Sequence, residues 1–251
     1  MSIMIEVIDL HKSFNGHEVL RGINLKVEKG QVLALIGGSG KGKSVLLKHI
    51  MGMMKQDSGQ VKVDDQDIRK PRGKALRRLK ERFGIVFQGG ALFDSLTAFD
   101  NVAFPLREKT RMKSSEIRVA VLQELARVGL SGAENKFPAE ISGGMRKRVA
   151  LARCLVMHPE IVLFDEPTTG LDPLMGKAIH NLIRECQKSL QFTAIVVTHE
   201  IPAIFSIVDR VAMLYEGKII AVGTPEEIKT SKDPVVHQFI SGELEGPISV
   251  K

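Results

Sequence analysis

The sequence predicts an α/β fold: a mostly parallel sheet covered by helices, with a helical segment inserted into it. Short continuous apolar runs, typical of strands that are buried on both faces, alternate with amphipathic helical patterns. The segment from residue 89 to residue 158 carries almost only helical spacing, which indicates the insertion. The predicted buried strands cover residues 32–36, 84–88, 161–164 and 193–198.

Length and composition favour one domain and argue against a membrane-spanning chain. With 251 residues, 43% of them hydrophobic, the chain can form one core with an inserted subdomain. Its apolar runs are far shorter than the roughly 18 to 20 residues that cross a bilayer. The first residues lack the basic segment, apolar stretch and cleavage site of a secretory signal, so we expect a cytoplasmic protein.

The charge of the chain indicates a polyanionic neighbour. The formal net charge is +7 and the pI is near 9.4, which suits a nucleotide, a nucleic acid or an anionic membrane surface. Much of the excess lies in residues 69–82, where a solvated helix face and an approach to anionic lipid headgroups are the two interpretations. Cys154 and Cys186 show no metal-ligand spacing, and we expect both to be reduced core residues.

The chain opens with two strand patterns, at residues 3–8 and 18–27. Phe14 falls in the loop that is predicted between them. An exposed aromatic ring at that position can stack on an adenine ring, and packing within the fold is the alternative.

A glycine-rich loop follows, set between the strand at 32–36 and a helix. Glycine permits positive φ and close approach, so successive backbone N–H groups and the helix N-terminus can converge on a phosphate. Lys43 would then reach the β- and γ-phosphates of a nucleotide, and the Ser44 hydroxyl would bind Mg²⁺. The loop consists of Gly37, Gly38, Ser39, Gly40, Lys41, Gly42, Lys43 and Ser44.

The inserted segment begins with a contact surface and carries a second candidate anion site. Residues 89–97 form an apolar loop after Gln88, and the helix predicted from Ala98 to Leu106 is limited by Pro105. A later helix opens at Ser142, which can cap it. Two glycines, Gly143 and Gly144, leave the first N–H groups of that helix open, so a plain cap and phosphate binding are both compatible with the pattern.

Polar residues follow two of the buried strands. The strand at 161–164 delivers Asp165 and Glu166 to its carboxyl end, where ligands bind in open α/β sheets. Asp165 is placed to hold Mg²⁺, and Glu166 to deprotonate the water that attacks a γ-phosphate. His199 follows the strand at 193–198 and can hydrogen-bond the γ-phosphate. The C-terminal part adds a predicted hairpin through Glu216 and Gly217 and two short helices.

Collected in order, these residues resemble the ATPase subunits of ABC transporters over essentially the whole chain. Gly37–Ser44 match the Walker A loop, Gln88 the Q-loop, Ile141–Met145 the ABC signature, Ile161–Asp165 the Walker B strand, Glu166 the catalytic carboxylate, Gly170–Asp172 the D-loop and His199 the switch histidine, with Phe14 at the aromatic A-loop position. The resemblance implies a P-loop NTPase (RecA-like) core with an antiparallel β-subdomain in residues 1–88 and 159–251. It also implies an α-helical subdomain in residues 89–158.

The same resemblance implies two half-sites. Lys43, Ser44, Gln88, Asp165, Glu166 and His199 of one chain would surround Mg²⁺ and ATP, with Gln88 joining Ser44 and Asp165 around the metal. Ser142–Gly144 of a second chain would close over the γ-phosphate in a head-to-tail homodimer. Ile141, Met145, Phe14 and Lys41 depart from the common family pattern, and Met145 removes the side-chain contact that a glutamine makes at that position.

A narrower resemblance, carried by residues 87–94, 99–108 and 239–247 and by the Ser-Gly-Gly-Met signature, is to the ATPase subunits of Mla/Mce-type phospholipid transport systems. It implies an integral membrane permease, an Mce-domain substrate-binding protein and a STAS-domain protein as partners, at the cytoplasmic side of the bacterial inner membrane. The alternatives are the ATPase of a polar-solute or amino-acid importer, and a soluble ABC protein that acts on nucleic acid or ribosomes. We expect no nucleic-acid partner, because that last class usually carries two cassettes or long coiled coils.

Overall fold

The computed structural model describes residues 2–249, which pack as two compact units. The first unit holds the residues up to Lys80 together with those from Thr193 onward, and the second holds Glu81–Phe192. The two units are defined by which residues of the chain pack together. The division implied by the family resemblance, with breaks at 88/89 and 158/159, stays a prediction.

The strands, in chain order, are β1 (Ile3–Phe14), β2 (His17–Glu28), β3 (Val32–Ile36), β4 (Ser58–Val63), β5 (Gln66–Asp67), β6 (Phe83–Val86), β7 (Ile161–Asp165), β8 (Thr193–Val197), β9 (Arg210–Tyr215) and β10 (Lys218–Gly223). The helices are α1 (Lys43–Ile50), α2 (Gly73–Glu81), α3 (Ala98–Lys109), α4 (Ser114–Arg127), α5 (Gly143–Leu155), α6 (Pro173–Leu190), α7 (Pro225–Lys229) and α8 (Pro234–Ser241). Short 3₁₀ turns cover Pro138–Glu140 and Ala203–Ser206.

The core of the first unit is built around β3. This strand pairs in parallel with β8 and with β9, and every residue of β3 and β8 is buried. Continuous apolar runs suit strands that are covered on both faces, so these two predicted strands are confirmed. The predicted hairpin is also confirmed: β9 and β10 pair antiparallel through Glu216 and Gly217, both with positive φ.

An antiparallel sheet of order β2-β1-β4-β5 completes the first unit. The prediction that the first strand ends at residue 8 and leaves Phe14 in a loop is wrong, because β1 runs to Phe14 and turns at Asn15 and Gly16. The pairing of β1 with β2 shifts register between Val7 and Leu10, and Asp9 has a φ of 44°. This bulge breaks the alternation of apolar residues, so the pattern stops before the strand does.

The second unit contains the parallel pair β6 and β7 together with helices α3 to α6. Helix α3 continues to Lys109, so the prediction that Pro105 ends it near Leu106 is wrong. Its buried face, which includes Ala98, Val102 and Leu106, lies on both sides of the proline, and packing maintains the helix across the missing N–H group.

Both cysteines are free thiols with raised pKa values. Cys186 on α6 is buried, as predicted, and burial raises its pKa to about 11. Cys154 on α5 is only partly buried, so the prediction that it is a core residue is wrong. Desolvation of its thiol raises the pKa to about 12. Both groups therefore stay protonated at neutral pH, where a thiol is a poor nucleophile. Across residues 2–249 we find no helix with the length and hydropathy to cross a bilayer.

Candidate functional site

Two glycines of the loop in the first unit, Gly37 and Gly42, lie so close to neighbouring residues that a side chain is excluded at these positions. Gly37 has a φ of 146°, and a Cβ atom there would lie 2.2 Å from the carbonyl oxygen of Leu214. Gly42 has a φ of 101°, and its Cβ would lie 3.1 Å from side-chain carbons of Val19 and Leu20. Positive φ and this proximity both require glycine at these two positions, where the backbone of the loop packs directly against neighbouring strands.

Lys43 extends into this loop. Its side chain is 5% exposed, and its Nζ donates hydrogen bonds to the carbonyl oxygens of Gly37 at 2.7 Å and Gly38 at 2.8 Å. The ammonium group is thus fixed against the backbone that surrounds it. Helix α1 begins at the same residue with Gly42 as its N-cap, and its first turn contains no acidic residue. A buried ammonium group, a helix N-terminus and bare glycine backbone together suit a polyphosphate.

The remaining loop residues are accessible. Ser39, Gly40, Lys41 and Ser44 are exposed and Gly38 is half-buried. The Cγ atom of Lys41 lies 3.3 Å from the position a Cβ on Gly38 would take, so the aliphatic stem of this lysine covers Gly38. No physical reason for a lysine at position 41 is evident from the sequence, and in the structure its stem has this packing role.

Phe14 ends β1 with its ring exposed. It is 40% exposed, and the Nζ of Lys12 lies 5.3 Å from the ring centroid. The ring is therefore available for stacking while a cation approaches it within the range of a cation–π contact. This exposure is compatible with the predicted A-loop role and shows that the ring is not a core residue.

His199 follows β8 in the first unit and is exposed. The turn around it is held by local hydrogen bonds: the Glu200 N–H donates to Thr198 Oγ1 at 3.0 Å, and the Ile201 N–H donates to the carbonyl oxygen of His199 at 3.1 Å. The turn thus presents the imidazole at the carboxyl end of a buried strand, where the sequence predicted it.

In the second unit, β7 ends at Asp165 and the chain turns sharply at Glu166. Both carboxylates are half-buried, and Glu166 has a φ of 50°. The Oγ1 atom of Thr169 donates a hydrogen bond to Oε2 of Glu166 at 3.0 Å. A left-handed backbone conformation is costly for a glutamate. Such strain, combined with an oriented carboxylate, is typical of catalytic positions.

Gln88 follows β6 in the same unit, with an exposed side chain. Its carbonyl oxygen accepts a hydrogen bond from Nζ of Lys147 on α5. Among residues 2–249 there is no group of three or more histidine, cysteine, aspartate or glutamate side chains that could hold a metal ion. Mg²⁺ bound to a nucleotide takes few protein ligands, and a hydroxyl, an amide and a single carboxylate are donors that suit it.

Ser142 caps α5, as its position predicted. Its Oγ accepts a hydrogen bond from the Met145 N–H at 3.2 Å; Ser142 is exposed, Gly143 is half-buried and Gly144 is buried. A Cβ on Gly144 would lie 2.7 Å from Cε of Met175, so this glycine permits close packing of the neighbouring helix. The capping interaction leaves the Gly143 and Gly144 N–H groups for other acceptors.

The structure thus places Phe14, the Gly37–Ser44 loop and His199 in the first unit, and Gln88, Ser142–Gly144, Asp165 and Glu166 in the second. Within the second unit it connects Gln88 with the signature helix α5 through Lys147. Sequence reasoning missed that lysine. The sequence does carry a signal for it: Lys147 lies three residues after Gly144 and four before Leu151, which places it on the buried face of an amphipathic helix.

Two further residues of the second unit were missed. Arg153 donates from Nη1 to the Ala91 carbonyl and from Nη2 to the Gly90 carbonyl, both at 2.7 Å. The fully buried Asn101 organises the apolar loop: its Nδ2 donates to the carbonyl oxygens of Phe93, Leu96 and Thr97, each at 3.0 Å, and its Oδ1 accepts from the Phe93 N–H at 2.9 Å. Such a residue in an amphipathic helix looks like any surface asparagine in the sequence.

The apolar loop borders a groove of about 350 Å³ in the second unit. Phe87, Phe93 and Phe104 line it with side chains 39–43% exposed, and the Phe93 and Phe104 rings lie 4.7 Å apart between centroids. Arg153 and Cys154 of α5 form another part of its lining. Exposed aromatic side chains around a concave surface are typical of a site for another molecule.

Comparison of the sequence with known proteins identifies two kinds of relative. The ABC transporter sequence profile matches residues 20–169. The intermembrane phospholipid transport system ATP-binding protein MlaF of Haemophilus influenzae is 41% identical over 248 residues, which cover 99% of this chain and 94% of that protein. A protein named as a probable ribonucleotide transport ATP-binding protein, mkl of Mycobacterium tuberculosis, is 44% identical over 250 residues, which cover 100% of this chain and 70% of that protein.

Solved structures show the same fold. CbiO1 from Clostridium perfringens, described as part of an ABC transporter complex, superposes with a TM-score of 0.85 and 35% identity over 93% of each chain. A dimeric ATP-binding cassette in a post-hydrolysis state, bound to ADP and Pi, superposes with a TM-score of 0.79 and 30% identity over 88% of this chain and 99% of that one.

Proposed function

The chain belongs to the ABC transporter family, as an ATP-binding subunit, and we propose that it hydrolyses ATP to drive phospholipid transport between the inner and outer membranes of a bacterium. The observation that carries this proposal is the similarity to MlaF, a protein named for intermembrane phospholipid transport, over nearly the whole length of both chains. As a member of this family, the chain has the P-loop NTPase fold and couples ATP hydrolysis to transport.

The first unit supplies the phosphate site. We infer that the Gly37–Ser44 loop surrounds the phosphates with its N–H groups. When ATP binds, the ammonium group of Lys43 exchanges the carbonyl oxygens of Gly37 and Gly38 for the more strongly charged β- and γ-phosphates. Phe14 stacks on the adenine, and His199 donates a hydrogen bond to the γ-phosphate. Exposure of Phe14 and His199 supports these roles.

The second unit supplies the base. Glu166, held by Thr169, accepts the proton of the water that attacks the γ-phosphate. Ser44, Gln88 and Asp165 would hold Mg²⁺, which neutralises charge on the phosphates when it is bound. The exposure of Ser44 and Gln88 and the position of Asp165 at a strand end support this assignment.

Ser142–Gly144 complete the site of a second copy of the chain. The N-terminus of α5, with an exposed serine cap and N–H groups beyond it, is suited to a γ-phosphate. A dimeric cassette bound to ADP and Pi is among the similar structures, which supports a head-to-tail homodimer with two nucleotides between the chains. A single chain then carries half of each active site and hydrolyses ATP poorly.

The apolar groove receives a segment of an integral membrane permease. Its three exposed phenylalanine rings offer apolar area at the edge of the loop that follows Gln88. We infer a peripheral position on the cytoplasmic side of the inner membrane, with an Mce-domain protein, and a STAS-domain protein, in the same complex. For the basic residues around α2, two interpretations stay open: a solvated helix face and an approach to anionic lipid headgroups.

Co-purification tests this assembly. Affinity-tagged chain, expressed in its own host and extracted in mild detergent, is expected to bring down a multi-spanning permease and an Mce-domain protein. A Phe93→Asp variant is expected to lose the permease and keep ATP binding, because a carboxylate in an apolar interface is costly. Recovery of ribosomes or DNA in place of a permease would contradict the proposal.

A second candidate function is transport of ribonucleotides. It is favoured by the name of the 44% identical mycobacterial relative, which matches this chain over its whole length. The same nucleotide-binding residues would serve either function. The two candidates therefore differ only in the substrate that is transported.

A further inference from the structure

Cationic side chains of the signature helix hold the segment that follows Gln88. Lys147 donates to the Gln88 carbonyl oxygen, and Arg153 donates to the carbonyl oxygens of Gly90 and Ala91 at 2.7 Å each. Three of the four carbonyl groups from residue 88 to residue 91 thus accept hydrogen bonds from two charged groups of one helix. Such charge-assisted bonds are stronger than bonds between neutral partners.

The two side chains act from a protected position. Lys147 is only 9% exposed, and burial lowers the pKa of Arg153 below its ordinary value. A buried cation tolerates the loss of its acceptors poorly, because an unsatisfied charge in a low-dielectric environment is costly. The planar fork of Arg153 contacts two carbonyl groups at once, which a lysine cannot do with the same geometry. The attachment is therefore directional and rigid.

The same helix connects two functional regions of the second unit. Its N-terminus carries Ser142 at the cap, and Arg153 and Cys154 near its C-terminus line the apolar groove. A helix of 13 residues is about 20 Å long and transmits displacement along its axis with little deformation. A molecule seated in the groove contacts both the helix and the loop that the helix holds.

We propose that Lys147 and Arg153 are positioning residues that fasten residues 88–91 to the signature helix, so that occupancy of the groove and hydrolysis of ATP are coupled. The coupling part rests on the proposed function, since it requires a permease in the groove. The fastening part is a property of the chain by itself and can be tested without a partner.

Hydrogen exchange in the full chain tests the fastening. Lys147→Met and Arg153→Met keep an unbranched, flexible apolar side chain and remove the donors, so amides of residues 88–92 are expected to exchange about tenfold faster or more. Arg148→Met is the matched control, because Arg148 donates from the same helix to the Val128 carbonyl at 2.8 Å, away from this loop. Unchanged exchange at residues 88–92 in both test variants would overturn the proposal.

Steady-state kinetics of the complex with its permease test the coupling. Lys147→Met is expected to lower the kcat of permease-dependent ATP hydrolysis about tenfold and to leave the KM for ATP within about twofold, whereas Lys147→Arg retains most of the activity. An equal loss in Arg148→Met, or wild-type coupling in Lys147→Met despite a loosened loop, would overturn this part. If the wild-type chain associates with no permease, the proposed function fails, while the exchange result still decides the fastening.

Discussion

Gly37 shows at the scale of one residue how closely the glycine-rich loop packs against the sheet beside it. Its φ of 146° and the Leu214 carbonyl at 2.2 Å from a Cβ position leave space for a hydrogen atom only. Gly40, three residues on, also has a positive φ but has no atom within 4 Å of its Cβ position. Substitutions at these two positions therefore distinguish the effect of backbone conformation, present at both, from the effect of close packing, present only at Gly37.

We expect Gly37→Ala to lower the free energy of unfolding by at least about 2 kcal/mol, since strain and overlap with a backbone oxygen add together. Gly40→Ala should cost about 1 kcal/mol, the price of a left-handed conformation alone. Urea unfolding of both variants measures the difference. Equal losses of stability in the two variants would contradict the close packing of Gly37.

His49 gives the first unit a dependence on pH. It is fully buried on α1, its Nδ1 lies 2.8 Å from the Val45 carbonyl oxygen, and desolvation lowers its pKa below 6.5. The unfolded chain therefore binds a proton at a higher pH than the folded chain does. Its contribution to stability is complete above about pH 6.5 and is lost as the pH falls toward the lower folded pKa.

Urea unfolding at several pH values between 7.5 and 5.5 tests this sign. The wild type is expected to lose stability as the pH falls through this range, and His49→Gln is expected to show a smaller slope, because glutamine takes up no proton there. A wild-type stability that rises toward pH 5.5, or an unchanged slope in the variant, would contradict the depressed pKa.

Individual residues were predictable where their chemistry depends on neighbours in the sequence. Lys43 and Ser44 follow glycines between a strand and a helix, and in the structure the ammonium group of Lys43 lies in that loop, while its role toward phosphate stays a prediction. Lys147 and Arg153 were missed, because their acceptors lie about sixty residues away and are backbone carbonyls, which every residue carries. Only the three-dimensional packing of α5 makes those carbonyls specific partners.

At the scale of elements, α3 and its preceding loop form one structure organised by Asn101. This side chain makes hydrogen bonds to both backbone groups of Phe93 and to the carbonyl groups of Leu96 and Thr97. The loop that exposes Phe93 to the groove is thus fixed by a buried amide on the helix that follows it. Its shape is set before a partner arrives, which lowers the entropic cost of binding.

Asn101→Asp tests this organisation with almost no change in shape. Replacing the donor Nδ2 with a carboxylate oxygen sets a buried charge against three carbonyl oxygens, and we expect a loss of roughly 3 kcal/mol or more in unfolding free energy. Asn24→Asp is the control, since the exposed Asn24 makes one such donor bond, to Gly22, and should stay within about 1 kcal/mol of wild type. A tolerated Asn101→Asp would show that the loop is held by other contacts.

Element boundaries were the least predictable part of the fold. The buried strands β3 and β8 were evident as continuous apolar runs, because burial on both faces leaves no polar position. The bulge at Asp9 concealed the second half of β1, and Pro105 falsely indicated the end of α3. In both cases tertiary packing outweighs a local signal that is correct on average.

At the scale of the whole molecule, the central feature is that the sequence contains two candidate anion sites. The Gly37–Ser44 loop and the start of α5 at Ser142 each offer helix N–H groups to a phosphate. The proposed homodimer uses both, since each nucleotide then lies between the loop of one chain and the signature of the other. Hydrolysis becomes dependent on association, which gives a transporter a means of control.

Glu166→Gln is expected to stabilise this dimer. Removal of the base lowers ATP hydrolysis by about 10² to 10⁴, while the uncharged side chain keeps its shape. Size-exclusion chromatography with ATP and Mg²⁺ should then show a dimer that is absent with ADP. Glu160→Gln, at an exposed glutamate that pairs with Arg82, should hydrolyse ATP like the wild type. ATP-bound monomers alone in the Glu166→Gln variant would contradict two shared half-sites.

The function itself is tested most directly by phospholipid transfer from proteoliposomes that contain the complex of this chain with its permease. Labelled phospholipid is expected to move to or from the acceptor membrane only with ATP, and the rate should fall at least about 100-fold when the chain carries Glu166→Gln. ATP hydrolysis that moves labelled ribonucleotide across the membrane and leaves the phospholipid in place would contradict the account.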